Sequence, residues 1–375
     1  MKDSRMAQLA RNVVTYSINL QKGEKLLIEV EGHDQILAKE IVQEAYKVGG
    51  YPFVVFIDKD ILRTQLIHSS LEHLQSLASY DYYRMNDMDA YVLIRADTND
   101  SELVDVPAEN IDQYWKDYYH IVHAPRWEKT KWCILSYPNQ AAAQRAKMST
   151  EAFEDYYYSV CNLDYSALSD QMDNLVLFLN RTDKVRIKGE GTDLTLSIKG
   201  MPVQKDAGLQ NLPDGEVFSI PNKYSINGVI SFNTAVHFRG TTFEHIVLTF
   251  HEGKIVDARS NDTAKLLEIL NVDEGARYVG EFGIGLNPYI SKPMNDILFD
   301  EKIWGSIHLA IGTSPIQCQG ANLSSIHWDI VYIQRKEYGG GQIWFDDVLI
   351  REDGYFLPKE LQGLNPSHSD GTGRA

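Results

Sequence analysis

The pattern of apolar residues changes near residue 180, and this change constrains the fold more than any other feature of the sequence. Before it, helical patterns alternate with apolar runs at residues 25–30, 51–57, 89–95 and 131–136. Strands separated by helices predict βαβ units and a mostly parallel sheet. After it, alternating apolar and polar runs with Gly-containing turns continue to about residue 357, which predicts a β-rich region.

The length of the chain supports a division into two domains. A chain of 375 residues is longer than one hydrophobic core normally serves. We predict an α/β scaffold domain with a mostly parallel sheet over residues 1–180, and a β-rich α+β domain over residues 181–375. The polar residues 367–375 are expected to be disordered. No GxGxxG follows the first predicted strand, so a nucleotide site is not indicated.

The composition excludes several classes of partner. Hydrophobic residues make up 43% of the chain and charged residues 23%, which is ordinary for a soluble globular protein. The net charge of -16 argues against nucleic acid or an anionic membrane surface as a main partner. No apolar run approaches the roughly 20 residues that span a bilayer. We therefore expect a cytoplasmic protein.

Two predicted strands of the second half carry histidines and an aspartate. His327 and Asp329 lie two residues apart in an alternating run, so their side chains share one face of a strand. His308 lies in a similar run, where it shares its face with the small Ala310. Two histidines with an aspartate outline a metal site, and the C-terminal domain is therefore the predicted catalytic, metal-binding one.

Two glutamates are able to complete this site. Glu281 shares the face of its predicted strand with Gly283 and Gly285, which leaves room for an ion and a substrate. Glu216 follows a turn signal and begins another predicted strand. Imidazoles with carboxylates and no thiolate suit Zn²⁺, Co²⁺ or Mn²⁺.

A count of charges favours two divalent ions over one. Three carboxylates and two divalent ions leave one positive charge, which a hydroxide would neutralise. A metal-activated hydroxide is the nucleophile that a two-metal hydrolase needs.

At these residues the sequence resembles the aminopeptidase T/aminopeptidase II family of metallopeptidases, the thermophilic metalloprotease group. The resemblance covers about residues 210–357 and keeps the order and spacing of several motifs. These motifs are NLPDGEVF (211–218), GKIV (253–256), ARYVGEFG (276–283), ILFDEKI (297–303), SIHLAIG (306–312) and HWD (327–329).

The resemblance implies a cytosolic aminopeptidase with two divalent ions and a homodimeric assembly, acting on a peptide or a small molecule. It places the metal ligands at Glu216, Glu281, His308, His327 and Asp329. Glu281 is a candidate for bridging the ions, and Glu216 or Glu281 for moving the proton during catalysis.

One departure from the family pattern leaves alternatives open. The family commonly has a tyrosine seven residues after the first ligand histidine, and Pro315 stands there in this sequence. Ring-cleaving 2,5-dihydroxypyridine dioxygenases resemble this fold and bind a single Fe²⁺, which His308, His327 and Asp329 would suffice to hold. The presence of both Glu216 and Glu281 favours the peptidase. A non-catalytic relative with a degenerate metal site is a third hypothesis.

Overall fold

A computed structural model describes residues 3–33, 35–99 and 101–366. The residues group into two compact units, one comprising the chain up to residue 163 with residues 208–212, the other comprising residues 164–207 and the chain from residue 213 onward. The predicted disorder of residues 367–375 lies outside the described residues. Among the described residues, no helix is both long and apolar enough to cross a bilayer.

The helices follow one another along the chain, with most of them in the first half. The α-helices are α1 Ser4–Asn12, α2 Ile36–Lys47, α3 Lys59–His68, α4 Leu71–Asn86, α5 Ala108–Tyr114, α6 His120–Glu128, α7 Gln140–Arg145, α8 Thr150–Cys161, α9 Tyr165–Arg181, α10 Thr263–Leu270 and α11 Ile297–Asp300. Short π-helical turns cover Val13–Ser17 and Trp115–Tyr119, and 3-10 turns cover Gly275–Arg277, Lys336–Tyr338 and Lys359–Leu364.

The strands dominate the second half. They are β1 Lys25–Gly32, β2 Tyr51–Ile57, β3 Ala90–Ala96, β4 Lys131–Ser136, β5 Lys184–Gly189, β6 Thr192–Ser197, β7 Val203–Asp206, β8 Asn211–Leu212, β9 Glu216–Ser219, β10 Asn227–Ser231, β11 Val236–Phe238, β12 Thr241–Phe243, β13 Val247–His251, β14 Lys254–Arg259, β15 Val279–Gly285, β16 Ser306–Gly312, β17 His327–Ile333, β18 Gln342–Phe345, β19 Val348–Glu352 and β20 Tyr355–Phe356.

The first unit contains the predicted parallel sheet. Its strands lie in the order β2-β1-β3-β4-β8, and every neighbouring pair is parallel. The central strands β1 and β3 are buried along most of their length, as expected for strands with neighbours on both sides. The predicted α/β class of the N-terminal part is confirmed.

The division between the two compact units falls between α8 and α9. Helices α8 and α9 are separated by a short turn, and the Asp164 side chain caps α9 by accepting from Ala167 N at 3.0 Å. Helix α9 contacts β7 and β9 and belongs to the second unit, whereas α8 belongs to the first. Residue 180, where the sequence predicts a domain boundary, lies near the end of α9, and the predicted domain limits stay a prediction.

The second unit is built from antiparallel sheets, which confirms its predicted β-rich class. One sheet has the order β14-β13-β10-β6-β5-β18-β19-β20, a second has the order β17-β16-β15-β9-β7, and β11 pairs with β12. In the second sheet β15 and β16 are buried throughout. Its apolar face includes Trp328, whose ring stacks on Phe238 at 4.7 Å between ring centroids and lies 5.2 Å from Phe243. This packing holds the sheet that carries the predicted ligands.

A buried carboxyl group makes the stability of this unit depend on pH. Burial raises the pKa of Asp300 from its usual 3.8 to about 8, and the side chain accepts a hydrogen bond from Met294 N at 2.6 Å. The folded chain therefore binds this proton more tightly than the unfolded chain. The stability that the group contributes is complete below about pH 4 and is lost as pH rises toward 8.

We predict that Asp300→Asn, which keeps an acceptor and removes the buried charge, raises the melting temperature relative to wild type at pH 9 but not at pH 5. Thermal unfolding of chelator-treated protein at both pH values measures this. Asp257→Asn, at a half-exposed aspartate of the same unit, is the control. An equal effect of Asp300→Asn at both pH values would contradict the assignment.

Candidate metal centre

The register of the second sheet brings the five predicted ligands onto one face. Strand pairing sets Ala310 opposite both Asp329 and Glu281. Directly opposite residues of an antiparallel pair point to the same face, as do residues two apart along a strand. By these rules His308 shares the face of Ala310, and His327 shares the face of Asp329.

Glu216 reaches the same face through the next strand. It begins β9 and pairs with Gly285 of β15, whose side of the sheet also carries Gly283 and Glu281. All five predicted residues therefore lie on four neighbouring strands, and the structure brings all of them together. The same pairing rule adds Asp206 of β7, which lies opposite Glu216.

The side chains form two groups of three. In the first, His308 Nε2 lies 3.2 Å from Glu216 Oε2 and 3.1 Å from Glu281 Oε1. In the second, His327 Nε2 lies 3.2 Å from Asp329 Oδ2 and 3.9 Å from Glu281 Oε2. Within each group the potential ligand atoms all lie within 4.8 Å of one another. Glu281 belongs to both groups, with one oxygen facing each.

Backbone carbonyls set the orientation of both imidazoles. His308 Nδ1 lies 3.2 Å from the Glu301 carbonyl oxygen, and His327 Nδ1 lies 2.9 Å from that of Thr313. A carbonyl only accepts, so each Nδ1 carries the proton and each Nε2 faces the carboxylates. Histidines that bind metals commonly have this second hydrogen bond, which fixes the tautomer and the ring.

Gly283 makes room for the His308 ring. A Cβ atom at this position would lie 2.1 Å from both Cε1 and Nε2 of His308, which no side chain permits. Gly285 is confined in the same way by the carbonyl of Ile303, 2.3 Å from where its Cβ would be. The glycines beside Glu281 therefore hold space for an imidazole and for backbone, which refines the prediction that they leave room for an ion and substrate.

The carboxylates impose a strongly negative field on the histidines. Burial by itself lowers the pKa of His308, but Glu216 and Glu281 outweigh it and raise the value to about 10. Burial likewise opposes the charge on His327, and Asp329 outweighs it, so the pKa is raised well above the usual value. This field favours a cation at each Nε2, whether a proton or a metal ion.

A buried lysine, which no sequence motif singles out as a site residue, completes the first group. Lys302 is fully buried, and its Nζ lies 2.7 Å from Glu216 Oε1 and 3.8 Å from Asp214 Oδ1 and also contacts the Glu301 carboxylate. Burial disfavours its charge, but these acids outweigh burial and raise its pKa well above the usual value. The only signal in the sequence was a run of charged residues within the 297–303 motif.

The free oxygen of Glu216 tests whether these residues fit a metal ion. Glu216 Oε2 is buried, and within the described part of the chain no donor forms a well-aligned hydrogen bond with it. His308 Nε2 lies 3.2 Å away. A buried carboxylate oxygen without a donor is costly unless a cation satisfies it. Together with imidazole nitrogens and two further carboxylates, it forms a donor set that suits a divalent ion such as Zn²⁺.

The arrangement separates the residues of the alternative iron site. In the described part of the chain the compact groups are the two triplets, and neither unites His308, His327 and Asp329. A mononuclear Fe²⁺ site would need those three on one ion. The geometry therefore favours a shared carboxylate between two ligand groups over a single facial triad.

The segment around Pro315 lacks the hydroxyl that the family tyrosine would provide. Proline has no side-chain donor or acceptor, and its neighbour Ser314 is occupied in a turn, where its Oγ accepts from Asn322 N at 3.0 Å. The effect of this departure on metal binding or on the substrate pocket stays a prediction.

The fold and these groups together define a class: an α/β unit joined in one chain to a β-rich unit that carries a carboxylate–histidine centre of metallohydrolase type. The sequence comparisons agree with that class. The thermophilic metalloprotease (M29) family profile matches residues 2–356, and the chain belongs to this family. It is accordingly an enzyme of the hydrolase class from a family that uses metal ions.

The relatives carry aminopeptidase names. The chain is 25% identical over 352 residues to aminopeptidase AmpS of Bacillus subtilis (strain 168), covering 82% of this chain and 83% of the relative. It is 23% identical to aminopeptidase PepS of Streptococcus thermophilus, and this match covers 94% of this chain and 96% of the relative. The structure of wild-type AmpT from Thermus thermophilus matches with a TM-score of 0.79 at 21% identity, covering 95% and 99%.

These comparisons confirm the predicted family and the predicted peptidase class. None of the named relatives supports the ring-cleaving dioxygenase. The TM-score confirms the fold alone, because the identity to the solved structure is low.

We predict that Gly283→Ala displaces the His308 ring and lowers the affinity for zinc by about 10–100-fold, the range found when the support of a ligand is lost. Zinc titration against a chromophoric chelator measures this. Gly363→Ala is the matched control, because a Cβ there meets Gln171 only at ordinary contact distances of 3.7 and 3.8 Å. Equal zinc affinities in both variants would contradict the packing argument.

Proposed function

We propose that this protein is a metal-dependent aminopeptidase that releases N-terminal amino acids from peptides with the help of two divalent ions. The proposed ligands are Glu216, Glu281 and His308 for one ion, and Glu281, His327 and Asp329 for the other. The observation that carries the proposal is the division of five side chains into two groups that share Glu281. The aminopeptidase names of relatives that match most of the chain support the reaction.

Bound divalent ions would supply Lewis-acid activation of a water molecule and of the substrate carbonyl. The side chains of this chain prepare the site for that chemistry. Glu281 presents one oxygen to each histidine, and the hydrogen bonds at Nδ1 keep both Nε2 lone pairs directed at the centre. We propose Glu216 and Glu281 as the groups that accept or return the proton during hydrolysis.

The metal, the assembly and the compartment complete the proposal. Zn²⁺, Co²⁺ and Mn²⁺ all suit two imidazoles and three carboxylates, so any of them is a candidate. We also propose a homodimer, from the resemblance to the family, and a cytoplasmic setting. The net charge of -16 supports a peptide or small-molecule substrate in preference to nucleic acid.

Metal content is the first test of this proposal. We expect two divalent ions per chain, by elemental mass spectrometry, after chelator-free protein is equilibrated with excess Zn²⁺, Co²⁺ or Mn²⁺ and freed of unbound ions. The loaded protein is expected to hydrolyse an unblocked aminoacyl nitroanilide and to leave its N-acetylated counterpart intact. A single tightly held iron would favour the dioxygenase, and failure to retain any ion would favour a degenerate site.

The shared position of Glu281 predicts a difference between two ligand variants. Glu281→Gln is expected to abolish hydrolysis and to weaken the binding of both ions, since one carboxylate oxygen becomes an amide NH2 that binds no metal and both groups lose the negative charge. His327→Ala is expected to abolish hydrolysis but to leave the Glu216–His308 ion in place. Metal stoichiometry and activity of the two purified variants measure this.

Glu29→Gln provides the matched control for those variants. Glu29 is a buried glutamate of the first unit whose Oε2 accepts from the Tyr91 hydroxyl at 2.6 Å. This variant is expected to keep both ions and full activity. Full activity in Glu281→Gln or His327→Ala would remove the basis of the site assignment.

A further inference from the structure

The motif at residues 297–303 has no role in the proposed reaction, yet its last residues adjoin the metal centre. It forms α11 and a tight turn that leads toward β16. The turn is anchored on both sides, because Lys302 N donates to Phe299 O at 3.1 Å and Asn287 N donates to Lys302 O at 3.0 Å. A Cβ atom at Gly285 would lie only 2.8 Å from the Glu301 carbonyl oxygen. The turn therefore packs directly on β15.

The side chain of Lys302 determines which oxygen Glu216 presents. Nζ lies 2.7 Å from Oε1 of Glu216, which commits that oxygen to the ammonium group. The other oxygen, Oε2, is left facing His308 Nε2. A carboxylate with one oxygen held in this way has little freedom to rotate, and it offers a single ligand atom.

The main chain of the preceding residue determines the orientation of His308. The Glu301 carbonyl oxygen lies 3.2 Å from His308 Nδ1 and is the acceptor that directs Nε2 toward the carboxylates. Two consecutive residues therefore orient two of the three ligands in one group, one through a side chain and the other through a backbone atom.

We propose that Glu301 and Lys302 form a positioning element for the ion bound by Glu216, Glu281 and His308, and that Lys302 is the positioning residue that makes Glu216 a ligand through one oxygen. This inference rests on the proposed two-ion function and adds a residue to it. Neither residue is itself a ligand. Their effect on catalysis passes through the position of Glu216 and of His308.

His327 and Asp329, the other two ligands proposed for the second ion, are oriented by contacts outside this element. His327 is oriented by the Thr313 carbonyl, and its side chain is 34% exposed, whereas that of His308 is 1% exposed. Asp329 contacts His327 within the same strand. Loss of Lys302 is therefore expected to weaken the binding of one ion and to leave the binding of the other unchanged.

The double variant Glu301→Gln with Lys302→Met tests the proposal. Removing the lysine alone would leave buried acids unpaired, which is strongly destabilising. Changing Glu301 at the same time removes one negative charge with the positive one and leaves the backbone carbonyl in place. Glu301→Gln alone is the matched control, because it retains both Lys302 and that carbonyl.

The readout is zinc binding by the full chain, with two dissociation constants resolved by competition against a chromophoric chelator. In the double variant we expect one constant to rise by about 10–100-fold, the usual cost of losing support of a metal ligand. The other constant is expected to match that of Glu301→Gln, the variant with which both constants of the double variant are compared. A general loss of stability would lower the melting temperature of the apo protein without this selective change.

Zinc constants in the double variant that both match those of Glu301→Gln would overturn the proposal, as would an equal rise in both. If the double variant does not fold, Lys302→Arg keeps the charge and moves the donor, and the same selective rise is expected there. A wild-type chain that binds zinc in this Lys302-dependent way but cleaves no unblocked aminoacyl substrate would refute the proposed function and leave this inference standing.

Discussion

The structure of the second unit depends on the accommodation of several carboxylates on one buried sheet face. Like charges a few ångströms apart repel strongly where water is excluded. Glu216, Glu281 and Asp329 each belong to a group whose potential ligand atoms lie within 4.8 Å of one another. Burial raises the pKa of Glu281, whereas the His327 imidazole overcomes burial and holds the pKa of Asp329 well below its usual range. The centre therefore favours positive charge, and the ammonium group of Lys302 supplies part of that charge permanently.

The opposite face of the same sheet supplies the stability that such a centre lacks. Alternation along β17 puts Trp328 between the two ligands in sequence but on the other side of the sheet, against the rings of Phe238 and Phe243. Because a shift of one residue in register would exchange the two faces, the packing of Trp328 also fixes the position of His327 and Asp329. One strand thus packs against the core with one face and presents two of the proposed ligands on the other.

Much of this could be predicted from sequence, because strand alternation is a local property. The pairing of His327 with Asp329, and of Glu281 with two glycines, needs only a period of two residues. The role of Lys302 could not be predicted, since it lies 86 residues from Glu216 along the chain and meets it only after β9 and β15 have paired. The break between α8 and α9 has a local signal, because the Asp164 side chain caps the start of α9.

The two ligand groups differ in how they are held, and this difference follows from the order of elements in the sheet. Glu216 and His308 lie on β9 and β16, on either side of β15, and are enclosed by the anchored turn at Glu301 and Lys302. His327 begins the edge strand β17, where a third of its side chain is open to solvent. Enclosure favours a fixed ligand geometry, while exposure leaves room for a substrate atom. A centre that shares Glu281 between both environments combines a rigid support with an accessible side, which is the combination that hydrolysis of a bound peptide requires.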